Sequence, residues 1–175
     1  QYKLKRVYYS GYIPVNTTHA LLPQIGSHPP LIRENRLYQT DWLLRFYGFR
    51  LEELLNAQHT HLDLDIDPKL SWALRNPQFF PVDINRADYK QIIRIPGVGR
   101  QSALKIVQAR KFGQLHEYQL RKMGIAFNRA RHFMVFADSP LILGAPSMES
   151  VRQSILQKNA GQPRTAFTNR QLSIF

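Results

Sequence analysis

The chain contains no cysteine among its 175 residues. That excludes disulfides, thiolate zinc sites and iron–sulfur ligation within it. No apolar run approaches the roughly 20 residues that cross a bilayer, and no secretory leader pattern is visible, so a cytosolic protein with no membrane partner is expected. Acidic residues are scarce: 12 Asp and Glu stand against 24 Lys and Arg, for a net charge of +12. Hydrophobic residues make up 43% of the chain, enough for a packed core, which excludes a disordered basic tail. The first residue is Gln1 rather than Met, and the chain is expected to be a piece of something longer.

The positive excess is concentrated. Between residues 82 and 136, eleven Lys and Arg face only Asp83, Asp88 and Glu117, a net of +8. Within that stretch, between two helix-patterned segments, lies Ile95-Pro96-Gly97-Val98-Gly99-Arg100-Gln101-Ser102-Ala103. Pro96 ends the preceding helix, Gly97 can take the positive φ of a sharp turn, and Gly99 lets the backbone approach a ligand as the next helix begins. The first amides of a helix have no partners inside it and sit at the positive end of its dipole, so an anion is favoured there. Arg100, Gln101 and Ser102 would place a cation, an amide and a hydroxyl beside those amides, with Lys105 one turn on. A phosphate-holding turn in basic surroundings points to nucleic acid. A basic membrane surface fits less well, because the helices are short and lack a broad apolar face.

Residues 3–9 predict one short strand, and 14–30, with Pro14, Pro23, Gly26, Pro29 and Pro30, an extended loop. Helical spacing follows from Arg33 to Tyr47, with Leu37, Leu44 and Tyr47 on one side, stopped by Gly48, and again from Leu51 to Asn56. Asp67-Pro68 starts a helix that Asn76-Pro77 stops, with Trp72 as its core anchor. Asn85 is expected to cap a helix over Arg86–Arg94, with Asp88 in its first turn. The next helix runs from about Arg100 to Arg110, its inner face formed by Ala103, Ile106 and Val107. Leu120 to Ala130 repeats the spacing from apolar residue through Gly-Ile to Ala, which predicts a second hairpin over 117–135 and a compact four-helix unit. The expected fold is mainly α, divided into a mostly helical segment with one short strand (1–81), a double-hairpin domain (82–138) and a loosely ordered tail (139–175).

The run Val82-Asp83-Ile84-Asn85-Arg86-Ala87 through Ile95-Pro96-Gly97-Val98-Gly99 to Ala103 resembles the tandem helix-hairpin-helix DNA-binding domain of DNA-uptake and repair proteins. The resemblance implies that Gly97, Val98, Gly99 and Arg100 contact a DNA phosphate across the minor groove without reading sequence, with Gly124, Ala126 and Arg129 at the second hairpin. Ala126 departs from the pattern, standing where a second glycine is usual. Upstream, Tyr8-Tyr9-Ser10-Gly11-Tyr12-Ile13-Pro14-Val15, the block from Pro29 to Phe49, and Asp67-Pro68-Lys69-Leu70-Ser71-Trp72-Ala73-Leu74-Arg75 are similar to a group of bacterial radical SAM proteins that end in such a domain. That likeness spans most of residues 3–136 and implies the C-terminal portion of a DNA modification or repair enzyme, with residues 3–9 as the last strand of a barrel. The iron–sulfur cluster and S-adenosylmethionine would belong to a part preceding this chain, and no cofactor is expected in the chain itself. The final Gln171-Leu172-Ser173-Ile174-Phe175 resembles the bacterial sliding-clamp-binding pentapeptide, with Ile174 where leucine is commoner.

Catalysis by this chain is not expected. Helix-hairpin-helix glycosylases place an aspartate well downstream of the hairpin, and in bifunctional members a lysine just after it. Here Gln101 takes the lysine position and Glu117 is the only acid between Gly99 and Phe136. His59-Thr60-His61-Leu62-Asp63-Leu64-Asp65-Ile66-Asp67 would align two histidines and three carboxylates if extended, as for a divalent cation. The simpler expectation is a polar linker with Leu62, Leu64 and Ile66 inward. Tyr8, Tyr9, Tyr12, Trp42, Phe46 and Tyr47 are read as packing residues before base-stacking ones, and Arg33, Arg36, Arg45 and Arg50 as either solvating charges or an extension of a DNA path. Two other functional classes remain open on sequence: a protein-interaction module with an incidental basic face, and RNA binding through the same hairpin.

Overall fold

The computed structural model describes residues 7–10, 31–140 and 147–160, with side chains as far as 157 in the last segment. The chain divides into two compact units, Gln1–Pro68 and Lys69–Phe175.

In the first unit, helix α1 spans Leu31–Phe46 and helix α2 spans Leu51–Leu54. The buried stripe of α1 is Arg36, Thr40 and Leu43, rather than the expected Leu37, Leu44 and Tyr47, which are half-buried. The reason is the Arg36 guanidinium. It donates to the carbonyls of Asp63 (3.2 Å) and Leu64 (3.0 Å) and to Gln39 Oε1 (2.9 Å), so its donors are satisfied by a loop 27 residues away. The 59–67 stretch is accordingly a set of turns and not an extended segment. Asn56 Oδ1 accepts the amides of Gln58 and His59 (both 3.0 Å), and Asp63 Oδ1 accepts those of Asp65 (2.8 Å) and Ile66 (3.2 Å). Leu64, expected inward, is exposed. Among the described residues no group of three or more histidines and acids is placed to hold a metal ion. Residues 7–10 carry no regular structure, and the rest of the expected 3–9 strand lies outside the described residues, as do Tyr12 and the 14–30 loop. Tyr9 is anchored to α1 by the Tyr38 hydroxyl, which accepts from the Tyr9 amide (3.0 Å) and donates to its carbonyl (3.1 Å).

The second unit begins one residue into α3, Pro68–Arg75, which has proline in its first turn and stops before Asn76, as expected. A single 3₁₀ turn at Pro77–Phe79 leads to β1 (Val82–Asp83), α4 (Tyr89–Ile92), α5 (Arg100–Ala109), α6 (Glu117–Lys122), α7 (Phe127–Ala130), β2 (Met134–Val135) and α8 (Met148–Ala160). The two strands pair in parallel, Val82 opposite Met134 and Asp83 opposite Val135, and so tie the start of the double hairpin to its end. They were not anticipated, since two-residue strands leave no periodicity to read. Leu70, Ile84, Ile92, Ile95, Ile106, Leu120 and Phe133 are fully buried, each contributing about 1.5–3 kcal/mol by leaving water.

Helix α3 packs with the hairpins. Trp72 is buried, with the Arg94 guanidinium 5.0 Å over its ring and the Phe79 and Phe80 rings 5.6 and 5.9 Å away. The first hairpin helix is shorter than expected, and its cap is Asp88. Asp88 Oδ1 accepts the Gln91 amide (2.7 Å) while Gln91 Oε1 accepts the Asp88 amide (3.0 Å), a reciprocal capping box. Asn85 instead accepts the Leu115 amide (2.9 Å), and Arg110 at the end of α5 donates to the carbonyls of Ile84 (2.9 Å) and Ala87. The 139–175 segment, expected to be loosely ordered, contains the 13-residue α8 with Val151 and Ile155 buried one turn apart.

Candidate nucleic-acid interface

The turn between α4 and α5 is built around Gly97, whose φ is +90°. The Val98 amide donates back to the Ile95 carbonyl (3.1 Å), and the Val98 side chain is buried beneath the turn. Gly99 is the N-cap of α5, with φ −87° and ψ 172°, and the helix starts with Arg100. No side chain caps this helix and no acid lies in its first turn. Its neighbours differ: α4 carries the Asp88–Gln91 capping box, and α6 has Gln119 Oε1 accepting the His116 amide (2.9 Å). Arg100 at the first position of α5 stands against the helix dipole, an unfavourable local choice that a bound anion would reverse. Among the described residues no carbonyl of the backbone accepts the amide of Gly97 or Gly99. Arg100, Gln101 and Lys105 are exposed around these groups.

The second hairpin repeats the first 27 positions on: Gly124 matches Gly97, Ile125 matches Val98, Ala126 matches Gly99 and Ala130 matches Ala103. Gly124 has φ +76°, Val98 and Ile125 are both buried, and Ala103 and Ala130 have no exposed surface. The two turns are joined directly. The Ala126 amide donates to the Gly97 carbonyl (2.9 Å), and the Ser102 hydroxyl donates between the carbonyls of Met123 (3.0 Å) and Gly124 (3.2 Å).

These contacts redistribute the expected roles. Ser102, read as a hydroxyl beside the phosphate amides, is buried and turned toward the second hairpin. Val98 contributes neither its amide nor its side chain to the surface, and the Ala126 amide is engaged by the first turn. Gly97, Gly99, Arg100, Gln101 and Lys105 stay together at the open side of the first hairpin, while Gly124 and Ala126 are exposed at the second. Arg129, half-buried, lines a shallow depression of about 420 Å³ with Arg121, Ile125, Ala126, Phe127 and Asn128. Arg121 lies 4.2 Å over the Phe127 ring and pairs with Glu117 at 2.6 Å. Asn128 was not singled out from the sequence, although the 27-residue offset places it opposite Gln101. In the first unit, Arg36 is held by the 63–64 carbonyls, and Arg45 and Arg50 pair with Asp41 and with Glu53 (3.9 Å). Residues 171–175 lie outside the described residues.

The inward Ser102 gives a direct expectation. Ser102→Ala removes the hydroxyl that joins the Met123 and Gly124 carbonyls to the first hairpin and should lower stability by about 1 kcal/mol. Nucleic-acid affinity per folded molecule should stay within twofold, as read by titration well below the melting temperature. A tenfold loss in the folded variant would return Ser102 to the contact surface.

No curated protein and no solved structure matches the chain. No helix among the described residues is long and apolar enough to cross a membrane. Residues 78–122, from the 3₁₀ turn through α6, match the family model of the helix-hairpin-helix motif, so this part of the chain carries a motif that is commonly nucleic-acid binding.

Proposed function

We propose that the chain binds DNA without reading base sequence, through phosphate contacts at the first hairpin, and thereby positions a DNA modification or repair enzyme on its substrate. The observation that carries this is the start of α5: an uncapped helix N-terminus behind two glycines, with Arg100 placed where the helix dipole alone would disfavour it. The Gly97, Gly99, Arg100 and Gln101 amides are the donors in this reading, with Arg100 and Lys105 adding screened Coulomb attraction. Gly124, Ala126 and Arg129 form the second contact, weaker because α7 has only four residues. The resemblance over residues 3–136 supports a radical SAM parent as the enzyme positioned, and the Gln171–Phe175 pattern supports a sliding clamp as a further partner.

A second reading, a protein-interaction module, is favoured by the aromatic surface beyond the far end of α5. Phe112 is 93% exposed and Tyr118 61%. Salt separates the two. Titration of labelled duplex, single-stranded DNA and RNA across a salt series should show duplex binding with log K falling against log salt at a slope of about −2 to −4, from two to four phosphates. A flat salt response would favour the protein partner. Preference for RNA over duplex DNA would replace DNA as the ligand.

A further inference from the structure

Lys69, in the first turn of α3, is a buried cationic residue whose role the helix-hairpin-helix match does not cover, since that match begins at residue 78. Its side chain is 7% exposed, and its Nζ donates to the Val98 carbonyl at 2.6 Å, across 29 residues of sequence. That carbonyl belongs to the Val98–Gly99 peptide, which lies at the centre of the phosphate-binding turn.

The consequence follows from peptide geometry. In a trans peptide the carbonyl of one residue and the amide of the next point in opposite directions, and the only cis bond among the described residues is Phe80–Pro81. Holding the Val98 carbonyl inward on Lys69 therefore aims the Gly99 N–H outward. Glycine at 99 has little steric resistance to rotation of this peptide plane, so something must fix it. The neighbouring planes are already fixed: in the Gly97–Val98 peptide the carbonyl accepts from Ala126 (2.9 Å) and the amide donates to Ile95 (3.1 Å), and in the Gly99–Arg100 peptide the carbonyl accepts from Ala103 (2.9 Å). Lys69 completes the set.

We infer that Lys69 is a positioning residue for the phosphate site: it orients the Gly99 amide outward, without touching the ligand. The inference rests on the DNA-binding reading above. A residue acting this way has a different signature from a phosphate contact. It releases no counterion, so its loss should weaken binding at every salt concentration and leave the salt slope unchanged, whereas loss of an ordinary contact lowers the slope by about one.

The experiment compares the full chain with Lys69→Met, Arg100→Gln, and Lys69→Cys alkylated with bromoethylamine under denaturing conditions and refolded. The native chain has no cysteine, so the last treatment creates a single lysine-like amine at position 69. Affinity for a 20-base-pair duplex is measured across a salt series, and folding is checked by circular dichroism. Lys69→Met should bind about tenfold more weakly with the native slope, aminoethylation should restore binding to within threefold, and Arg100→Gln should lower the slope. In free Lys69→Met the Gly99 amide resonance should shift, while Ile106 and Leu120 keep their positions. Native affinity in Lys69→Met, a slope reduced by one in that variant, or a folded aminoethyl protein that stays weak would each overturn the role. If Lys69→Met does not fold, the refolded aminoethyl protein against unalkylated Lys69→Cys supplies the same comparison. Failure of the native chain to bind duplex at low salt would instead sink the DNA-binding reading, which Arg100→Gln tests separately.

Discussion

Gly99→Asp is expected to abolish duplex binding at moderate salt, more than a hundredfold, while leaving the protein folded and at least as stable. The backbone at Gly99, φ −87° and ψ 172°, is open to any residue, so a side chain introduces no backbone strain. Aspartate is also among the best N-caps and would accept the α5 amides that glycine leaves open, a gain of a few tenths of a kcal/mol. The same carboxylate would occupy the place proposed for phosphate and repel it. Stability and binding should therefore move in opposite directions, which separates loss of a site from loss of a fold. Arg100→Glu should behave alike, because a carboxylate at the first helical position agrees with the dipole that Arg100 opposes. Thermal melts paired with duplex titrations read both quantities. Retained affinity in a folded Gly99→Asp protein would remove the first hairpin as the contact.

Gly97→Ala should produce the largest loss of stability of any single methyl group added to the hairpins, on the order of 3–4 kcal/mol. Two penalties coincide there. An alanine at φ +90° is strained by itself, and its Cβ would meet the Ala126 carbonyl oxygen at 2.8 Å, with Ala126 Cβ and the Ala130 amide both at 3.3 Å. Those neighbours are mostly backbone of the second hairpin and cannot swing aside as a flexible side chain would. The two turns would have to separate, breaking the 2.9 Å hydrogen bond from the Ala126 amide to the Gly97 carbonyl. Gly124→Ala is the natural control. Its φ of +76° brings similar backbone strain, but the nearest atom to an added Cβ is Ser102 Oγ at 3.8 Å, so a loss of only about 1–2 kcal/mol is expected. Amide exchange at Ile92, Ile106 and Leu120 would follow the hairpin unit directly. Equal losses at the two glycines would show that contact between the turns adds nothing at Gly97.

Much of this arrangement was legible in the sequence because its signals are local. Pro96-Gly97-Val98-Gly99 marks the turn, Asp67-Pro68 and Asn76-Pro77 bracket α3, and the spacing around Gly124 announces the second hairpin. Each depends only on which φ and ψ a residue and its neighbours allow. Helix α8 was missed: residues 139–175 were read as loosely ordered, although a 13-residue helix lies within them with Val151 and Ile155 buried.

The sequence by itself therefore determined a mainly α chain, a basic double-hairpin region, and the glycine turn between α4 and α5. Tertiary structure alone decided which of the residues there face outward. Ser102 was a plausible contact by position, yet its hydroxyl is bound to carbonyls that folding brings near, as are the Ala126 amide to Gly97, Asn85 to Leu115, Arg36 to the 63–64 carbonyls and Lys69 to Val98. The physical reason is the range of the interactions. A turn or cap is settled within four residues, whereas a hydrogen-bond donor's choice between solvent and a carbonyl 20 to 30 residues away depends on which surfaces the hydrophobic core presses together.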